Sequence, residues 1–187
     1  MDSLSLDDHT LELQFVNKCR SVLSNARVTR NDECLHIPIV PLLQKILLGE
    51  MGKTNTIALI GPSNVGKTML MRLFTAGLCV GTFNTQYSLR SPFWLSHLVD
   101  KDIYVGEEFA CDRDNVDIFK QLLEGSHYLY VDCKYKKQMV KLKKRPVLIS
   151  SNHELCRFVS YESESFKNRC LTFNLDQPVS FDYTGVD

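Results

Sequence analysis

Apolar residues recur along this chain with two different periods, and the change between them falls near residue 50. Residues 9–24, HTLELQFVNKCRSVLS, carry apolar positions at roughly helical spacing behind SLDD, a polar run able to cap a helix start. HIPIVPLLQKILLGEMGK then predicts a proline-punctuated entry and a second helix ending near Gly49. Beyond it, NTIALIGP predicts a buried strand stopped by Gly61-Pro62, KTMLMRLFTAGL a helix, KDIYVGEE a strand and NVDIFKQLLEG a helix. RPVLISSN predicts a third strand and RCLTFNL a fourth. Strands that alternate with helices point to a parallel sheet covered on both faces. The pattern therefore predicts an α/β fold, with a small helical segment at about residues 1–50 and an α/β core over 51–187.

Composition narrows this picture. A chain of 187 residues fits one domain of ordinary size. Its longest apolar runs, TIALI and PVLI, fall far short of the ~20 residues needed to cross a bilayer, so no membrane partner is expected. The seven cysteines are odd in number, form no C-x-x-C and complete no zinc spacing with the five histidines. They read as reduced thiols of an intracellular protein. The 22 basic and 22 acidic residues cancel, yet seven of the basic ones crowd into KYKKQMVKLKKR, residues 134–145, where no acid occurs. Val140 and Leu142 alternate there with Lys141 and Lys143, which predicts a strand with one apolar and one cationic face.

Candidate chemistry starts at GPSNVGKT, Gly61 to Thr68, which matches G-x-x-x-x-G-K-[ST] between a predicted strand and a predicted helix. In such a loop the backbone of Gly61, Pro62, Ser63, Asn64, Val65 and Gly66 curls so that N–H groups point at phosphate oxygens. Lys67 reaches the terminal phosphates and Thr68 offers its hydroxyl to Mg²⁺. The strand DIYVGEE ends in Glu107 and Glu108, where a parallel sheet opens its ligand crevice. The first acid is placed to hold Mg²⁺ and the second to take a proton from an attacking water. Asn152, at the tip of PVLISSN, is placed to hydrogen-bond the γ-phosphate or that water, although Asn after a strand is also ordinary turn chemistry. No N-K-x-D follows, which disfavours a GTPase.

The order of these motifs resembles the superfamily 3 replicative helicases of small DNA viruses, a branch of the AAA+ ATPases, from about residue 36 onward. GKTNTIALIGPSNVGKT, DIYVGEEF, VDCKYKKQ and RPVLISSN look like the parvovirus non-structural replication proteins. HIPIVPLLQKIL, SPFWLSHLVDKDI and DQPVSFDYTG look more like the papillomavirus replication helicase, which usually carries Asp in the paired-acid strand. The parvovirus type ranks first. Two departures stand out: Glu124-Gly125 replaces a frequent Gly-Gly, and no His-apolar-His pair of a strand-nicking centre is present.

This resemblance implies a motor that uses ATP and Mg²⁺ to move along single-stranded DNA, with 3′ to 5′ polarity, in the host nucleus. It implies a hexameric ring on DNA. The short N-terminal segment, a possible oligomerisation element, predicts that the isolated chain is a monomer. Arg169 in FKNRCLTFNL matches the family's arginine finger, acting at a neighbouring subunit, and Lys120 matches a lysine that approaches the same nucleotide. Lys134 and Lys136, with Lys137 beside them, match the lysines of a channel-lining hairpin that holds DNA. Phe93 and Trp94 are read as packing residues rather than stacking ones. Two other readings stay open: a P-loop ATPase or kinase without unwinding activity, and a degenerate ATPase that recruits replication partners.

Overall fold

The computed structural model describes residues 27–30, 33–35, 45–46, 48–85 and 91–176. The helix expected over 9–24 and the residues from Gln177 onward lie outside them. Within the first fifty residues the described backbone is not all helical. Strands β1 (Arg27–Arg30) and β2 (Glu33–Leu35) pair antiparallel, and β1 also pairs antiparallel with the strand β9 (Cys170–Asn174). Runs of three or four residues are too short to show a period of two. Their pairing uses an edge of β9 that comes from the far end of the chain. Lys45 and Ile46 are helical, and the helix closes where expected. Gly49 (φ 73°) donates its N–H to Ile46 O at 3.0 Å and Glu50 donates to Lys45 O at 2.9 Å.

Five parallel strands form the centre. They are β3 (Thr56–Ile60), β4 (Val80–Phe83), β5 (Ile103–Gly106), β8 (Val147–Ser151) and β9, in the spatial order β9-β3-β8-β5-β4. Four match the predicted strands. β4 was missed, because VGTF carries a Gly and a Thr where an apolar run would announce a strand. The two β1–β2 strands extend this sheet to seven.

Alternate residues of β3 enter two separate cores, which explains its unbroken apolar run. Ile57 and Leu59 meet helix α1 (Lys67–Thr75) through Leu70 and Met71 on one face. Ala58 faces the other core, built on helix α2 (Val116–Glu124) with Phe119, Leu122 and Leu123. Phe119 is its hub: its ring lies 4.9 Å from Phe109, 5.4 Å from Trp94 and 6.0 Å from Phe83. Trp94 is thus a packing residue, as expected. Gly125 (φ 65°) ends α2 with bonds to the Gln121 and Leu122 carbonyls from Ser126 and its own N–H, so Glu124-Gly125 makes a regular helix stop.

After α2, β6 (Tyr130–Val131) and β7 (Val140–Lys141) form an antiparallel ribbon. The expected alternation holds, with Leu142 buried and Lys141 and Lys143 exposed. The ribbon's apolar side, Leu129, Val131 and Leu142, joins the α2 core. A short helix α3 (Ser163–Lys167) precedes β9 and adds Phe166. Replacing Phe119 by Ala removes the ring on which three others lean, and is expected to cost about 3–5 kcal/mol in urea unfolding.

Candidate nucleotide-binding site

The loop Gly61–Thr68 leaves the C-terminal end of β3 in the middle of the sheet. Gly61 donates its N–H to Ser151 O at 3.1 Å, and Leu175 donates to Ile60 O at 2.8 Å, so the loop starts between two neighbouring strands. A side chain at Gly61 would overlap the Leu175 carbonyl oxygen, which explains why glycine stands there. Asn64 (φ 66°) and Gly66 (φ 87°) adopt left-handed backbone that curls the loop onto the start of α1. Val65 turns its side chain into the core, fully buried, and can serve a ligand only through its backbone. Among the described residues no hydrogen bond engages the N–H groups of Ser63, Asn64 or Gly66, and no side chain caps α1. Unpaired donors at a helix start form an anion cradle.

A cavity of about 630 Å³ opens over this loop, within the range of ligand pockets. Asn64, Lys67, Thr68, Glu107, Glu108 and Asn152 all line it. Strand ends explain the convergence: Glu107 and Glu108 follow β5, Asn152 follows β8, and both strands run parallel to β3. Ser150 also lines the cavity and was missed, although it stands two residues before Asn152 in ISSN. Glu108 has φ 50°, and the next residue, Phe109, anchors this bend by donating its N–H to Ser150 O at 2.7 Å. Lys67 folds back to donate to the Gly61 and Pro62 carbonyls at 2.6 Å each. Burial pushes its ammonium below the ordinary lysine value, while the Glu108 carboxylate opposes that shift. A partly desolvated cation beside unpaired N–H donors suits a polyphosphate, and the Thr68 hydroxyl with the Glu107 carboxylate suits a hard divalent cation such as Mg²⁺.

Arg169 and Lys120 lie elsewhere, together. Arg169 precedes β9, whose first residue pairs with Thr56 at the start of β3, so it sits at the opposite edge of the sheet from the loop. Its guanidinium donates to Lys120 O (3.1 Å) and Ser165 O (2.7 Å) and pairs with Glu124 (2.8 Å), with its side chain 16% exposed. Lys120 bridges Asp117 (2.8 Å) and Glu162 (3.0 Å). These acids were not picked out from the sequence, since Glu162 is 42 residues from Lys120. Donation from Ser165, then from Lys120, holds the Glu162 carboxyl below its ordinary range; the Asp117 and Glu162 bonds raise Lys120.

Lys134, Lys136 and Lys137 are exposed on the loop that joins β6 to β7, where Lys136 N–H donates to Cys133 O at 3.1 Å and Tyr135 takes φ 67°. Lys134 lines a second cleft of about 890 Å³ together with Phe93, Trp94 and Glu107. The free thiols Cys79, Cys111, Cys133, Cys156 and Cys170 do not line the nucleotide cavity.

Strand order, loop and paired acids define an AAA+ P-loop NTPase fold. The family model for parvovirus non-structural protein NS1 matches residues 40–187, and the chain belongs to that family. It is 30% identical over 135 residues to the initiator protein NS1 of human bocavirus 2, covering 69% of this chain and 17% of that one. It is 29% identical over 147 residues to protein Rep52 of adeno-associated virus 2 (isolate Srivastava/1982), covering 73% and 35%. It is also 30% identical over 139 residues to replication protein E1 of bovine papillomavirus type 1, covering 72% and 22%. The chain thus spans about a third or less of these relatives. The fold is that of JCV helicase, with TM-score 0.57 and 16% identity over 76% of this chain and 40% of that one. The NrS-1 C-terminal region is equally similar, with TM-score 0.57 and 17% identity over 91% and 40%.

The Glu162 pairing has a directional consequence. A carboxyl held low in the folded chain stabilises it above the ordinary value of 4.5, and that contribution disappears as pH falls through the lowered value. Glu162→Gln is therefore expected to lower the melting temperature at about pH 7, with the gap to the parent closing as pH falls below 4.5 through the lowered value.

Proposed function

We propose that this chain is the ATP-driven motor segment of a viral replication protein, coupling ATP hydrolysis to movement along single-stranded DNA. One observation carries the reading: the Gly61–Thr68 loop, Glu107, Glu108 and Asn152 meet in a single cavity at the C-terminal ends of the parallel strands. Lys67 exchanges its two carbonyl partners for the terminal phosphates. Thr68 and Glu107 would hold Mg²⁺, which would supply charge neutralisation to the phosphates. Glu108 accepts the proton of the attacking water, and Asn152 positions that water or the γ-phosphate.

Arg169 and Lys120 act on a neighbouring subunit's nucleotide. In support, the five residues of β9 separate them from their own loop by about 16 Å at 3.3 Å per residue. The carboxylates of Glu124 and Glu162 hold both cations until phosphates compete for them. Sites completed across subunits fit a ring, six-membered in the family this chain resembles, with Lys134, Lys136 and Lys137 gripping the strand in its channel. Movement with 3′ to 5′ polarity and action in the host nucleus complete the proposal.

The test is ATPase rate against protein concentration, with and without single-stranded DNA. A rate per chain that climbs with concentration and with DNA is expected, and a flat dependence on both would sink the reading. Lys67→Ala should lower the rate at least about a hundredfold. Arg169→Ala should abolish activity alone yet regain part of it when mixed with Lys67→Ala, since each then supplies what the other lacks. Lys136→Ala should weaken DNA binding and flatten its salt dependence by about 0.7 in log–log slope.

A further inference from the structure

The ribbon β6–β7 has a second exposed face that the tip lysines do not use. Its register pairs Tyr130 with Lys141 and Val131 with Val140. Leu142 donates its N–H to Leu129 O at 2.9 Å, which carries the same register one pair further, and Tyr128 lies in the turn just before it. Leu129, Val131 and Leu142 turn into the core, so alternation sends the paired Tyr130 and Lys141 to the other side, and Tyr128 and Lys143 next to them are exposed. Tyr128 is 81% exposed and Tyr130 48%. Two large rings left in water next to two cations are not explained by packing, because neither ring belongs to either core.

We propose that this stem face is a stacking platform for single-stranded DNA, with bases on Tyr128 and Tyr130 and phosphates on Lys141 and Lys143. It rests on the DNA reading above and extends it from the tip to the stem. Stacking on exposed rings is tolerant of sequence, because every base offers a π-face. Charge favours nucleic acid over an acid-seeking protein groove, because Lys141 and Lys143 form a cationic stripe beside the rings and the same ribbon carries the exposed Lys134, Lys136 and Lys137 at its tip. The acids beside the stripe are Asp132, at its tip end, and Asp100, whose carboxylate lies 3.4 Å from Lys143 in a pair exposed on both sides. Such a pair is weak and yields readily to a phosphate. Tyr135 at the tip is also 95% exposed.

The experiment compares the parent chain with Tyr128→Ala/Tyr130→Ala, Tyr128→Phe/Tyr130→Phe and Lys141→Gln/Lys143→Gln. Binding is read by fluorescence anisotropy on labelled oligothymidylate of about twenty nucleotides and on an abasic strand of the same length. The Ala pair should lose at least about tenfold on oligothymidylate, keep its salt slope and bind the abasic strand like the parent. The Phe pair should bind like the parent, since stacking needs the ring and not the hydroxyl. The Gln pair should weaken both strands alike and flatten the salt slope by about 1.4, or 0.7 for each charge. Melting temperatures equal to the parent's would show that folding is intact; if the Ala pair melts early, the Phe and Gln pairs still decide. Parent-like binding by the Ala pair, while Lys136→Ala still weakens binding, would overturn the platform alone. No binding by the parent would overturn the DNA reading itself. Unchanged DNA binding with altered sedimentation of the Ala pair would make this face a contact between copies, and would also overturn the platform.

Discussion

Strand β3 is hydrogen-bonded along its whole length to β8 on one side and β9 on the other. Its last residue, Ile60, is level with Ser151 and Asn174, so the chain must leave the sheet at its most crowded point. Only a residue without a side chain passes under the Leu175 carbonyl there. That passage sets where the Gly61–Thr68 loop curls, and the parallel register sets what comes level with it. A shift of β8 or β5 by one residue would turn each side chain to the opposite face and remove Asn152 or Glu107 from the cavity.

The same sheet ties the cavity to the lysine-rich ribbon. Tyr104 in β5 donates its hydroxyl to Lys143 O at 2.9 Å, and Phe109, directly after the acid pair, packs on Phe119 in the core that holds the ribbon's apolar side. Residues 140–145 run from the ribbon into β8, which ends at Asn152. Lys134 and Glu107 border one cleft. A force on the ribbon therefore has short, packed routes to Glu107, Glu108 and Asn152.

Much of this was legible in the chain. The G-x-x-x-x-G-K-T loop, the acids after DIYVG and the Asn after PVLISS each combine a short apolar run with the polar residues that end it, so each is visible within ten residues. The end of the second helix at Gly49 and the stop at Gly125 were legible for the same reason, since left-handed glycine is a local requirement. β4, β1 and β2 were not legible. They are short and mixed in polarity, and their place comes from the edges that β5 and β9 offer. Arg169 was legible as a matching position, but not as a guanidinium already bonded to Lys120, Ser165 and Glu124, because its Lys120 partner stands 49 residues away.

By itself, then, the sequence determined local geometry: which apolar runs are central strands, where helices stop, and which segments carry the candidate phosphate-, metal- and proton-binding side chains. Backbone propensity and side-chain period act over a few residues, and so do those features. Only the tertiary structure decided which ends of the strands meet and which cations are already neutralised. It alone turned Tyr130 of β6 and Lys141 of β7 to the same side. Those outcomes depend on register between segments distant in the chain, where a single residue of slip changes every partner.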